Sequence, residues 1–399
     1  MTTLKPTKPM KAYNPQWSAN ESTQQTAQKW FRIGFLRQEQ VLEVQKTYPL
    51  DFYNPSGFLK IGLFIFTILA ASFSTSIMTL FFIAPFQSNE KMAIIIEAFV
   101  IGIVFTFVLE SLIKSRKLYH SGIDNALLYM ALGAFCTAIF FIFEQSHPAT
   151  WLFLLIFLPF FIISVIRYAD LVVCCISFFL TLSILISLAL TSTWGKTFLP
   201  FIVMIFSVGI YFLIKRLSKR DDYLYYEQCL GIAKTLSLVC FYLGGNYWVV
   251  REGNALINDL SGAASPQIAF APVFYSFTLI IPFAYIFFGL RNRDRLILII
   301  GMLTAGFSVF TYRYYFGFLP TEMALTISGF LLIALSGGLI YYLKNNKNGF
   351  TYQPDDEREG MNLEALLMSE VVQSKIPQQG ETFRFGGGDT GGGGAGTTY

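Results

Sequence analysis

The feature that most constrains this chain is a series of apolar runs, most of them near 20 residues, separated by short polar breaks from Phe58 to Leu343. A helix rises about 1.5 Å per residue, so roughly 20 apolar residues cover the hydrocarbon core of a bilayer. Backbone inside lipid must satisfy its own hydrogen bonds, which makes helices the form for runs of this length. The reading is therefore all-α: a polytopic transmembrane helix bundle of about ten spans. The expected spans are Phe58–Ala84, Met92–Ile113, Ile123–Phe143, Trp151–Ile166, Leu171–Thr191, Phe198–Ile214, Leu224–Leu243, Ile268–Leu290, Leu296–Phe310 and Met323–Leu343. Composition agrees. Only 14% of residues are charged and 54% are hydrophobic, against about 25% charged in a soluble domain.

The loops orient the bundle. With the N-terminus inside, 24 of the 29 Lys and Arg residues fall on the inner side and only Lys91, Lys196, Arg251 and Arg313 on the outer side. A helix too many or too few would scramble this alternation, so the bias predicts both the number of spans and cytoplasmic termini. Trp151, Trp194 and Trp248 fall at expected outer boundaries, and Tyr223, Tyr225, Tyr226, Tyr341 and Tyr342 at inner ones, where amphipathic rings belong. Met1 to Gly57 is polar, with no short apolar core before a small-residue cleavage site. The first span is therefore expected to direct insertion itself.

Two soluble pieces flank the bundle. Residues 1–57 form a cytoplasmic segment carrying a small helical pair within 20–48. Ser22 is expected to cap the first helix, with Ala27, Trp30, Phe31 and Phe35 as its apolar positions, and Gln38 to Lys46 to form the second, stopped by Tyr48-Pro49. A pair so short buries little core alone. It is expected to dock on the bundle or on a cytoplasmic protein partner, contributing binding rather than stability. The tail, 344–399, is expected to hold an amphipathic helix at Met361–Lys375 and a disordered glycine-rich end.

Little of the usual chemistry is legible. The five cysteines, Cys136, Cys174, Cys175, Cys229 and Cys240, all lie in apolar runs and read as small hydrophobes. His120 and His147 are expected on opposite faces, which argues against a shared metal, and no metal-binding or nucleophile motif is present. Gly386, Gly388 and Gly391 match a dinucleotide fingerprint in form, but no strand precedes them and no helix follows. The reading is no cofactor, no metal, no nucleic acid and no catalytic constellation. The basic clusters at Lys215–Arg220 and Arg291–Arg295 read as orientation signals rather than lipid sites, and the long outer loop 244–267 reads as a plain connector lying on the membrane, with covering a pore mouth or binding a ligand as the alternatives.

Ionisable residues within spans are the exception, because a charge at a helix centre is costly and usually faces the bundle interior. Glu97, Glu110 and Lys234 are of this kind. The candidate intramembrane polar site is Lys234 paired with Glu97, with Glu227, seven residues before Lys234, as a further step toward the inner surface. The alternative is that Lys234 reaches the interface along its own alkyl chain.

The stretch WFRIGFLRQEQVLEVQKTYPLDFYNPSGFLKIGL, from Trp30 to Leu63, resembles uncharacterised bacterial polytopic inner-membrane proteins that join a short N-terminal helical module to a multi-helix bundle. The end, FGGGDTGGGGAGTTY from Phe385, is similar to tails on several bacterial membrane proteins. The resemblance implies a bacterial inner membrane and no assigned activity, and it carries no functional residues across. Two functions remain open: a transporter or permease-like bundle, or a membrane-anchored sensor or scaffold acting through its N-terminal helices and tail.

Overall fold

The computed structural model describes residues 10–53, 55–83, 90–144, 146, 148–258, 260, 265–315 and scattered positions between 323 and 341. The described residues form twelve helices: α1 Pro15–Arg32, α2 Gln38–Thr47, α3 Gly57–Ile83, α4 Glu90–Arg116, α5 Ile123–Phe143, α6 Thr150–Tyr168, α7 Leu171–Ala189, α8 Thr193–Leu217, α9 Tyr223–Gly245, α10 Tyr247–Ile257, α11 Ala271–Asn292 and α12 Arg295–Tyr315. Nine of them, α3 to α9, α11 and α12, are long and apolar enough to cross a bilayer. The tenth expected span, Met323–Leu343, lies largely outside the described residues, and the expected tail helix and glycine-rich end lie wholly outside them.

The boundaries are set by local chemistry. Asp170 caps α7 by accepting from the Val173 amide at 2.9 Å, and the Ser192 and Asn246 side chains cap α8 and α10 in the same way. Ala169 and Arg293 turn their helices in left-handed backbone. The expected fourth and ninth spans fill out to 19 and 21 residues, because polar ends such as Arg167 and Arg295 continue the helix beyond the apolar run. Within the spans, many serine and threonine hydroxyls donate to carbonyls one turn back, as Thr67 does to Leu63 at 2.7 Å, which satisfies them without water; the buried Thr75 hydroxyl of α3 has no such partner among the described residues.

Adjacent helices pack as antiparallel pairs: α4 with α5, α6 with α7, α8 with α9, and α11 with α12. The α9 helix is the hub of the second half and touches α7, α8, α10, α11, α12 and α1. Glycines set the closest approaches. A Cβ on Gly289 would lie 2.7 Å from the Leu298 amide nitrogen, and one on Gly245 would lie 2.6 Å from Ile281 Cδ1. Close backbone contact replaces the hydrophobic drive that lipid cannot supply. By contrast, Phe66, Phe73, Leu80 and Phe81 of α3 are all at least 70% exposed. A face of that size and character is stable against acyl chains and not against water.

The N-terminal pair departs from the expected layout. Its first helix begins at Pro15, capped by Asn14 rather than Ser22. The side chains it buries are Trp17, Ser18, Gln24 and Ala27, while Trp30, Phe31 and Phe35 stand exposed at the far end. Tyr13 and Trp17 join the bundle core. The anchoring aromatics lie upstream of the apolar cluster because they have partners on the bundle, which the local pattern alone does not reveal.

Candidate functional site

The N-terminal segment meets the bundle at the α4–α5 turn, residues 117–122. Lys117, His120 and Gly122 all adopt positive φ there. Backbone of this kind is retained where surrounding contacts over-determine it. Gly122 has no alternative: a Cβ would lie 2.2 Å from the Lys60 carbonyl oxygen of α3. The turn is clamped from outside as well. Tyr53 donates its amide to the Lys117 carbonyl at 3.0 Å, and Lys117 pairs with Asp51 at 2.6 Å. Tyr13 meets Tyr119, His120 and Tyr168 in edge-on and tilted contacts, and Trp17 and Phe52 pack on Tyr119 and on each other. Burial holds the His120 imidazole below its ordinary pKa, against the pull of Asp124 and Asp170.

Three acidic side chains organise the junction. Asp124, 1% exposed, accepts from the Tyr13 hydroxyl at 2.6 Å, the Ser121 amide at 2.8 Å and the Ser121 hydroxyl at 3.0 Å. Asp170, also buried, accepts from Asn125 at 2.5 Å and from the Tyr129 hydroxyl at 3.0 Å, joining α5 to α7. Glu110 of α4 accepts from Arg167 Nε and from the Tyr168 hydroxyl, each at 2.6 Å. The Arg167 carbonyl in turn accepts from the Ala12 amide and the Tyr225 hydroxyl. Every acid here is satisfied, as buried polar groups must be. At the edge, Lys11 lies 3.2 Å from Asp222 and over the rings of Tyr225 and Tyr226. Burial alone would raise the Asp222 carboxyl, but the Lys11 ammonium outweighs it and holds the group below its usual range.

The expected intramembrane site is not assembled as the sequence suggested. Lys234 pairs with Asp294, 2.5 Å away in the α11–α12 turn, and not with Glu97. Glu97 is 5% exposed on α4 and accepts from Thr79 of α3. The two belong to different packing neighbourhoods, since α4 packs on α3 and α5 while α9 packs on α11 and α12. Glu227 is exposed on the first turns of α9 and does not continue inward from Lys234. The reason is vertical stagger: the α11–α12 turn sits alongside the middle of α9, so a loop carboxylate reaches a mid-helix lysine. Both partners are about one-quarter exposed. Lys234 therefore has a counter-ion, supplied by the turn between α11 and α12.

This pair gives a first test. Lys234→Met and Asp294→Asn should each lower the melting temperature of the detergent-solubilised protein, and the double variant should recover part of the loss. Burial would raise the Asp294 carboxyl, but the Lys234 ammonium and the amide of Ile297 hold it below the ordinary value. The stability it contributes is present above the unfolded carboxylate pKa, about 4, and is lost as pH falls through that range. The wild type should thus lose more stability than Asp294→Asn between about pH 6 and pH 3.5. Recovery by Glu97→Gln in place of Asp294→Asn would contradict the observed pairing.

A second polar network lies at the opposite end of the bundle. Tyr242 and Ser308 share a hydrogen bond at 2.8 Å, Asn246 reaches Thr311 at 3.0 Å, and the Tyr247 amide reaches Thr278 at 2.9 Å. Arg251 and Glu252 of α10 are held by Tyr247, Ser265 and Tyr315. The long 244–267 loop thus carries a helix that packs on α9 and α11. Beside it opens a cleft of about 330 Å³ among α7, α8, α9, α10 and α11.

The chain is a multi-pass α-helical membrane protein, with a helical N-terminal segment built onto one end of its bundle and a cleft toward the other. Comparison with protein-family models, with curated proteins and with solved structures returns no match. Of the junction acids, the sequence singled out only Glu110. Asp170, immediately before an apolar run, carried a helix-cap signal that could have been used. Asp124 stood inside the expected span Ile123–Phe143 and so carried the signal of an ionisable residue in a span, which was passed over; Tyr13 carried none, because its pairing with Asp124 spans 111 residues.

Proposed function

We propose that this protein is a membrane-anchored sensor or scaffold of the bacterial inner membrane, with both termini cytoplasmic, acting through its N-terminal helices. The observation that carries this reading is the buried hydrogen bond from Tyr13 to Asp124. It makes the N-terminal segment part of the bundle's packing at one end, while the other end of the pair presents Trp30, Phe31, Phe35 and Leu42 to solvent. One half of the module anchors and the other half displays an apolar patch suited to a protein partner. The excess of Lys and Arg on the same side supports a cytoplasmic location.

The test places a photo-crosslinking amino acid at Phe35 in cells and compares the wild type with Tyr13→Phe. A discrete crosslinked protein whose yield changes in Tyr13→Phe, at equal membrane levels of the bundle, is the expected result. Crosslinking at Phe35 no more specific than from a lipid-facing control position such as Phe73 would overturn the reading. The second reading, a transporter or permease-like bundle, is favoured by the 330 Å³ cleft and by the partly buried Lys234–Asp294 pair. Uptake or efflux by reconstituted vesicles, abolished by Lys234→Met, would establish it over the first.

A further inference from the structure

We propose that the cleft among α7, α8, α9, α10 and α11 binds an anionic amphiphile, a molecule with an alkyl body and a negatively charged head. This goes beyond the sensor or scaffold reading, which rests on the opposite end of the bundle. Four observations carry it. The cleft holds about 330 Å³, and its walls are mainly aliphatic, with Leu199, Val203, Leu243, Val250 and Ile257 among them. That lining suits an alkyl chain. Its rim carries Lys196, which is exposed and makes no ion pair among the described residues. The carboxylate on the neighbouring helix, Glu252, is not among the residues that line the cleft, and it is held by the hydroxyls of Ser265 and Tyr315. Finally, the rim lies at the depth of a membrane interface. Trp194, two residues before Lys196, is 77% exposed and stacks on Phe198, as interfacial aromatics do.

The geometry orders these parts. Lys196 lies in the first turn of α8, where the helix dipole adds to its positive charge. Leu199, Pro200 and Val203 follow one and two turns deeper and line the cleft below it. The floor is made where α9 approaches α8 at Gly244, whose Cβ would sit 3.1 Å from the Pro200 carbonyl oxygen. A head group at Lys196 would therefore place its chain along the α8–α10 wall toward the bundle centre. Gly253 of α10 faces the cleft with nothing within 4 Å of where a Cβ would stand. The first carbon of a side chain there meets no neighbour, so a larger residue has room to enter the cleft.

The experiment uses the full chain in lipid nanodiscs with two probes, a diazirine-bearing long-chain fatty acid and a diazirine-bearing phosphatidylglycerol. Labelled peptides are mapped by mass spectrometry. Labelling concentrated on the cleft walls of α8 and α10 is expected, with Gly253→Phe and Lys196→Glu each lowering it roughly tenfold. Melting of both variants should match the wild type, which separates loss of binding from misfolding. The probe that labels identifies the source of the head group, a free carboxylate or a phospholipid. Displacement of the fatty-acid probe should follow palmitate and not its methyl ester. Uniform labelling of all lipid-facing helices, insensitivity to both variants, or equal displacement by the neutral ester would overturn the proposal. The Tyr13→Phe variant should retain labelling, so failure here is distinguishable from failure of the sensor reading.

Discussion

Asp124→Ala should be among the most damaging single substitutions in the protein. The side chain is buried and accepts from three donors, the Tyr13 hydroxyl, the Ser121 amide and the Ser121 hydroxyl. Truncation strands all three in a place water does not reach. Each stranded donor costs roughly 1–3 kcal/mol, so the whole loss is of the order of several kcal/mol. A fall in melting temperature of many degrees, or loss of the folded protein from membranes, is expected. Tyr13→Phe removes one donor and leaves the other two bonds in place, so a loss of about 1–2 kcal/mol is expected. In the Asp124→Ala background, Tyr13→Phe should cost almost nothing further, because its partner is already gone. Additive losses in that cycle would show that Tyr13 does not act through Asp124, and that the N-terminal segment is held by Trp17 and its neighbours instead. Removing residues 1–24 should likewise destabilise the bundle, since it takes Tyr13, Trp17 and the Lys11–Asp222 pair together. That outcome would set aside the expectation that the module contributes binding alone.

Gly122→Ala should be the second severe change, for a different reason. The residue has φ +96 and lies against α3, so a methyl group would meet the Lys60 carbonyl oxygen at 2.2 Å. Holding an ordinary residue in that backbone region costs about 1–3 kcal/mol. Displacing a packed helix to clear the clash costs about 1–3 kcal/mol more. The comparison residue is Gly133, inside α5, where a Cβ would meet nothing within 4 Å. Gly133→Ala should be neutral or slightly stabilising, because alanine favours helix by about 1 kcal/mol over glycine. Thermal melts of the two variants decide it, and equal behaviour would mean that α3 does not press on the α4–α5 turn.

These two residues also mark where reading along the chain stops being informative. The spans were legible because hydrophobic matching to a bilayer is a property of consecutive residues. Ile123–Phe143 was located to the residue, and the ends of α7, α9 and α11 were missed by only a few positions. Helix caps were half legible: Asp170 stood before an apolar run, whereas Asn14 with Pro15 was passed over for Ser22. Lys234 was rightly picked out as a charge within a span, but its partner was not found.

What the sequence by itself determined is that this chain lives in a membrane, as an all-helical multi-pass bundle. That outcome follows from apolar length, which is a sum over consecutive residues. The tertiary structure alone decided which polar groups meet. Lys234 found Asp294 because the α11–α12 turn sits level with the middle of α9. Tyr13 found Asp124 because a left-handed turn opens α5 beneath α1. Such pairings depend on stagger and approach set by glycine contacts and a few backbone angles. A hydrogen bond a fraction of an ångström too long is lost, whereas an apolar run shifted by a residue still crosses the bilayer.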